Sequence, residues 1–364
     1  MGFWLIVYVA FLFILLLFNI TKATDFVTFI INGISGGGDY WKNQSLKALA
    51  MTTSQGGFIT STASPNGDGR PDPEPDHLLV LVHGIYASPS DWRYVEAELK
   101  RRLGRHFLIY ASSCNTYSKT FSGIDGAGKR LADEVKQIVK SRDNLKKISF
   151  LAHSLGEKLA APLAPMFVGR TGTQLFLTDG KPDKPPLLLR MTTDSQEADF
   201  ISALGAFRYR ILYANVSYDH MVGWRTSSIR RESELVKPPF KSLDGYQHVV
   251  DVEYCPPVVS TGANFPPEAA KAKEAAQNVP TTKNTLEYHE IMEEEMIRGL
   301  QQLGWKKVDV SFHASFWPFF AHNNIHVKDE WFHKAGAGVI AHVADSINQQ
   351  EKQHQTTSLI SASL

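Results

Sequence analysis

From Asp76 onward the sequence alternates short apolar runs with longer stretches of helical period: HLLVLVHG, WRYVEAELKRRL, HFLIYASS, GAGKRLADEVKQIVKS and KKISFLAHS follow one another. The apolar runs have the length of strands, and because they are apolar on both alternations they belong in a sheet covered on both faces. Strands separated by helices of this length are joined by right-handed crossovers and lie parallel. The pattern resumes later with the strand RYRILYANVSYD, the helix TLEYHEIMEEEMIRGLQQLG, the strand WKKVDVSFH and the amphipathic helix AGVIAHVADSINQQ. The expectation is an α/β fold, a mostly parallel central sheet with helices on both faces.

With 364 residues, 43% of them hydrophobic, the chain has the material for one enzyme-sized domain plus extensions. Its 38 basic and 37 acidic residues leave a formal charge of +1, so no global field recruits nucleic acid, and no nucleic-acid partner is expected. The basic knot Lys100, Arg101, Arg102 and Arg105 reads as a solvated helix end. Cys114 and Cys255 read as two separate thiols rather than a disulfide framework.

The N-terminus departs from this picture. Gly2 to Phe18, GFWLIVYVAFLFILLLF, is uncharged and long enough to reach across a bilayer, so residues 1–22 are expected to anchor the chain to a membrane. The basic residue near it, Lys22, follows the apolar run, which places the remainder on the cytosolic side. Residues 23–75, with GISGGGDYW, SQGG and SPNGDGRPDPEPD, read as a flexible linker. The domain is expected at 76–347 and a polar, disordered tail at 348–364. Two stretches fit the α/β pattern poorly, 157–195 with its five prolines and 233–285 with little periodicity.

The chemistry-bearing residues gather at strand ends. In AHSLG the small residues Ala152 and Gly156 flank Ser154 at minus two and plus two, as a sharp strand-to-helix turn that exposes a nucleophile requires. HLLVLVHGIYASPSDW ends a strand at His83-Gly84, so the Ile85 amide, with that of Leu155 after the serine, is placed to form an oxyanion hole. His83 itself is expected to be structural. Asp219 closes RILYANVSYD, later than the serine and ahead of the last strand, where an acid would stand. For the base, spacing leaves two histidines open, His313 at the end of VDVSF and His322 in FFAHNNIHV. His322 and His326 have helical spacing but no third ligand, so no metal site is expected. His153 reads as a packing residue, the pair His289-Glu290 as a solvated face, and Trp317, Phe319 and Phe320 as either acyl-pocket lining or core.

Taken in order, HLLVLVHGIYASPSDW, GAGKRLADEV, KKISFLAHSLG, YDHMVGWRTSSIRR and AHNNIHVK resemble the serine esterase family of lipase-like α/β hydrolases, above all its plant members, over about Asp76 to Ile347. The resemblance implies the α/β-hydrolase fold and hydrolysis of lipid or other acyl esters without metal or organic cofactor. It implies Ser154 as nucleophile, Asp219 as acid and, from the AHNNI-like segment, His322 rather than His313 as base. The chain departs from the family after Gly156. Where the family continues with a second glycine and a long apolar helix, this chain reads SLGEKLAAPLAPMFVGRTGTQLF, and Pro162 would break any helix running through it. A helix, a sheet strand and part of a lid are expected to be absent, which would leave neighbouring strands unpaired. The competing expectation is an impaired variant that keeps the fold as an interaction or regulatory module.

Overall fold

The computed structural model describes residues 74–153, 164–181, 184–196, 198–259, 271 and 282–362. The expected anchor and nearly all of the expected linker lie outside these residues, as do Ser154, Leu155 and Gly156. Among the described residues no helix is long and apolar enough to cross a membrane.

The first sheet follows the sequence pattern closely. Strands β1 (His77–Val82), β2 (Phe107–Ala111) and β3 (Lys147–Ala152) pair in the order β2-β1-β3, all parallel. Helices α1 (Arg93–Leu103) and α2 (Ile124–Lys140) make the crossovers. Helix α1 buries Val95, Leu99 and Leu103, one stripe at four-residue spacing, and leaves Lys100 and Arg101 to pair with Glu96 and Glu98 at its surface. Every residue of β3 is buried.

Beyond it come α3 (Ala164–Leu175), a short hairpin of β4 (Asp194–Ser195) and β5 (Ala198–Asp199), then β6 (Ile211–Asn215), β7 (Val249–Cys255), α4 (Thr282–Leu300), β8 (Trp305–Val310) and α5 (Ala337–Ala362). The last three strands form a second sheet in the order β6-β8-β7, with β6 parallel and β7 antiparallel to β8. One mostly parallel central sheet was expected; the described strands instead make two sheets of three, with β3 and β6 as facing edges. The faces nevertheless continue from one sheet to the other. Leu79, Leu81 and Leu151 share a core with Tyr213, Val308 and Val310, covered by α1 and α5. Leu78, Ile148 and Phe150 share the other with Leu212 and Trp305, covered by α2 and α4. The layers are those of an α/β fold.

Three expectations need correction. Strand β7 lies inside 233–285, where no strand is expected; Asp251 and Glu253 do alternate with Val250, Val252 and Tyr254, but prolines on both sides hide the signal. His289 is buried and donates from Nε2 to the Phe176 carbonyl, so only Glu290 of that pair is solvated. The disordered tail expected from 348 is helix as far as Ala362. Its polar composition misled because Glu351 is polar and yet buried, and accepts a hydrogen bond from His77 Nδ1 at 3.2 Å while pairing with the Lys147 ammonium. His77 Nε2 in turn accepts from Ser149 Oγ at 2.8 Å. This network ties the amino ends of β1 and β3 to α5.

Burial raises the Glu351 carboxyl, but His77 and Lys147 outweigh it and hold it at about 2, against an ordinary 4.5. On the same helix, burial and then Lys306 push His342 down to about 4 from 6.5. Both folded values lie below the unfolded ones, so each group contributes stability that is complete above its unfolded pKa and is lost as pH falls toward its folded one. Stability should therefore decline from about pH 6.5 to 4 through His342 and from about 4.5 to 2 through Glu351. Urea unfolding across this range should show a flatter upper window for His342→Phe. A chain ended at Ile347, or Glu351→Ala, leaves Lys147 without its counter-charge and should lose about 3–5 kcal/mol at neutral pH.

Candidate functional site

The carboxyl ends of β1, β3, β6 and β8 converge, and the side chains there come from the loops that follow these strands. Asp219 lies four residues beyond β6 and is held from several sides. Its Oδ1 accepts from the Met221 and Val222 amides, both at 2.9 Å, and its Oδ2 accepts from Asn215 Nδ2 at 2.8 Å. The same Oδ2 accepts from His322 Nδ1 at 3.2 Å. Burial works to raise the Asp219 carboxyl, yet the His322 ring, Asn215 and Val222 together hold it below its ordinary value. With Nδ1–H committed to Asp219, the His322 Nε2 keeps its lone pair for accepting a proton.

His322 sits on a helical turn, Ala321–Asn324, well after β8. Ala321, Ile325 and Val327 around it are buried in the same core as α1 and α5, which pins the turn. Gly336, which begins the approach to α5, packs against it so closely that a Cβ there would overlap the Asn324 carbonyl oxygen. His313, the alternative by spacing, is turned elsewhere, its Nδ1 hydrogen-bonded with Tyr218 Oη at 3.0 Å.

His153 ends the approach from β3 and is the last described residue before Ser154. Read as a packing residue, it does more. Its Nε2 donates to the His322 carbonyl at 3.0 Å, and its ring stacks on His326 with centroids 3.6 Å apart. Burial first, then the neighbouring rings of His326 and His322, drive His153 well below its ordinary pKa and keep it neutral. The residue preceding Ser154 is thereby fixed to the residue that meets Asp219. No pattern in the sequence marks this role beyond the position itself. His322 and His326, four apart, both line the cavity described below, and among the described residues no three His, Cys, Asp or Glu side chains group as metal ligands.

After β1, His83 is buried, donates from Nδ1 to the Gly84 carbonyl at 3.1 Å and lines the cavity described below. Among the described residues nothing takes the Ile85 amide, whereas the Tyr86 amide donates to Thr120 Oγ1 at 3.1 Å. Ala152 ends β3, buried. Ser154, Leu155 and Gly156 lie outside the described residues, so the site is bounded here by the groups around them. A cavity of about 400 Å³ opens between these loops, lined among others by Ile85, Trp92, His153, Met221, Phe320 and His322. Phe319 also lines it, and Phe319 and Trp317 are about half exposed, so this aromatic run is a cavity wall and rim rather than core.

Backbone strain marks the same place. Tyr86, Tyr218 and Val327, each beside a site residue or on its loop, have positive φ of 52°, 62° and 51°. A branched side chain such as Val327 is rarely found there, and strain of this kind costs about 1–3 kcal/mol per residue and collects at functional sites.

Residues 72–161 and 156–229 match, as two segments that meet just after Ser154, the family described as "Putative serine esterase". A protein of Saccharomyces cerevisiae described as "Putative lipase" is 28% identical over 199 residues, which cover 42% of this chain and 30% of that protein. A Schizosaccharomyces pombe protein of the same description is 25% identical over 209 residues, 43% of this chain and 26% of its own length. The chain thus spans less than a third of either relative. No solved structure matches it.

The packing of Gly336 on the His322 turn yields a test. Gly336→Ala places a methyl group against a backbone carbonyl that cannot move without carrying His322 with it. It should cost about 1–3 kcal/mol in urea unfolding, whereas the same change at Gly245, whose Cβ would meet open space, is opposed only by its φ of 85°.

Proposed function

We propose that the chain hydrolyses carboxylic esters, with lipid and other acyl esters as substrates, a reading supported by the match of residues 72–161 and 156–229 to a serine esterase family and by the likeness to two proteins described as lipases. The fold proposed for it is that of an α/β hydrolase shortened after the nucleophile. The observation that carries the reading is the Nδ1–Oδ2 contact of 3.2 Å between His322 and Asp219, joined through His153 to the position before Ser154.

In this reading the Ser154 hydroxyl attacks the ester carbonyl as His322 Nε2 takes its proton. The carbonyl oxygen, now negative, is held by the amides of Ile85 and Leu155, each such donor contributing about 3 kcal/mol. His322 returns the proton to the departing alcohol, leaving an acyl group on Ser154. Water, deprotonated by the same ring, clears the acyl group as the free acid. Asp219 holds His322 in the tautomer that exposes Nε2 and stabilises the imidazolium formed in between. The cavity beside Phe319 and Phe320 would take the acyl chain. No cofactor enters any of these steps.

The split sheet favours a second reading, a chain that keeps the scaffold as an interaction or regulatory module with impaired catalysis. The place where the two family matches meet, 156–161, coincides with the break in pattern at Glu157, which supports shortening by loss of an internal segment.

A fluorophosphonate, which is attacked by an activated serine in place of an ester, separates the two readings. The full chain should be labelled on Ser154 and Ser154→Ala should not. Asp219→Asn should lower turnover of a soluble acyl ester by roughly 10⁴-fold, since the ring is then held in the wrong tautomer. A chain that circular dichroism shows to be folded, but that takes no label, favours the module.

A further inference from the structure

The exposed aromatic side chains of the described residues collect on one edge of the molecule. Tyr86 follows β1, Tyr117 follows β2, Tyr218 follows β6, and Phe316, Trp317 and Phe319 follow β8. Within each sheet these strands run parallel, so their loops leave from its carboxyl edge. The His153–His322 hydrogen bond shows that the two carboxyl edges lie together. Phe240 joins them by packing on His313, ring centroids 5.3 Å apart, and Trp331 and Phe332 follow on the next helical turn. Tyr254 is the exception: it stands near the end of the antiparallel β7, paired with Lys306 at the start of β8, on the opposite edge.

Single exposed apolar residues need no explanation, but a contiguous group of this size on one face marks an interaction surface. Phe316 is 85% and Trp331 87% exposed, so among the described residues neither is packed away. Charge around the group is balanced, with Lys328 and Lys334 beside Asp329 and Glu330, so the face suits an uncharged surface rather than a strongly anionic one. Trp and Phe are the side chains that settle at the boundary between lipid headgroups and acyl chains. Phe319 belongs both to this group and to the cavity wall, so an acyl chain leaving a bilayer under the patch would reach His322 without crossing water.

We propose that this aromatic edge docks on a neutral phospholipid bilayer and presents the cavity mouth to it. The choice of a lipid surface over a protein rests on the reading of the cavity as an acyl-ester site. A tether at the N-terminus would hold the chain near a membrane without orienting it, and the patch supplies the orientation.

The test uses the full chain carrying Ser154→Ala, so that no turnover intervenes, with Cys114→Ser and Cys255→Ser. An environment-sensitive fluorophore is placed at Trp331→Cys or, separately, at Tyr254→Cys. On addition of phosphatidylcholine vesicles the emission at position 331 should shift to the blue, that at 254 should not, and the shift should survive high salt. Flotation with vesicles and no shift at 331 would show that the apolar N-terminal run binds alone, and would overturn the proposal. So would equal shifts at both positions, or no association at all. A shift at 331 that grows with protein concentration before any lipid is added would assign the patch to a second copy of the chain instead. Because the readout needs no ester cleavage, its failure and failure of the hydrolase reading are seen separately.

Discussion

The constraint on which the rest of this structure depends is the interruption between β3 and β6. Every residue of both strands is buried, yet each strand has a ladder partner on one side only among the described residues. Buried backbone groups without partners are costly, and an unpaired edge is an invitation to association. What joins the halves instead is side-chain packing: two cores that run across the gap, the edge-on contact of Phe150 with Phe207, and at the carboxyl edge the hydrogen bond from His153 to the His322 carbonyl. The candidate site sits on that seam. The loop after β1 and His153 belong to one sheet, Asp219 and His322 to the other.

Much of this was legible in the sequence because the signals were local. The alternation from His77 to Ala152 corresponds strand for strand and helix for helix to β1, α1, β2, α2 and β3. Helix α4 and strand β8 were likewise visible in their periodicity. What escaped was whatever depends on partners distant in the chain. Glu351 looks solvated until His77 and Lys147, more than two hundred residues earlier, are brought to it. His289 looks solvated until the Phe176 carbonyl is. Strand β7 gains its partner in β8 only after α4 has reversed the chain. Asp219 and His322 could be singled out by type and order, but their separation of 3.2 Å could not, since they stand 103 positions apart in the chain. The break after Gly156 was legible as a loss of pattern. Its consequence, two sheets rather than one, is visible only when the edges are.

The electrostatics of the site follow from burial more than from charge. His83, His153 and His326 are each driven down chiefly by desolvation and so stay neutral around His322. Asp219 is the carboxylate in contact with that ring, and its own hydrogen bonds keep it ionised against its burial.

The interruption and the proposed chemistry draw on different parts of the chain. The groups assigned to the reaction stand after β1, β3, β6 and β8; the segment whose pattern is lost follows the nucleophile and supplies none of them. The orientation of His322 is set by Asp219, by the carbonyl contact with His153 and by the buried residues on either side of its turn. Those restraints are short and local to the seam. They do not run through a ladder between β3 and β6, so the geometry at the carboxyl edge depends on the two cores staying in contact. The dependence is not symmetrical: weakening the seam at His153 or Gly336 disturbs the site directly, whereas the gap in the sheet reaches it only by letting the halves separate.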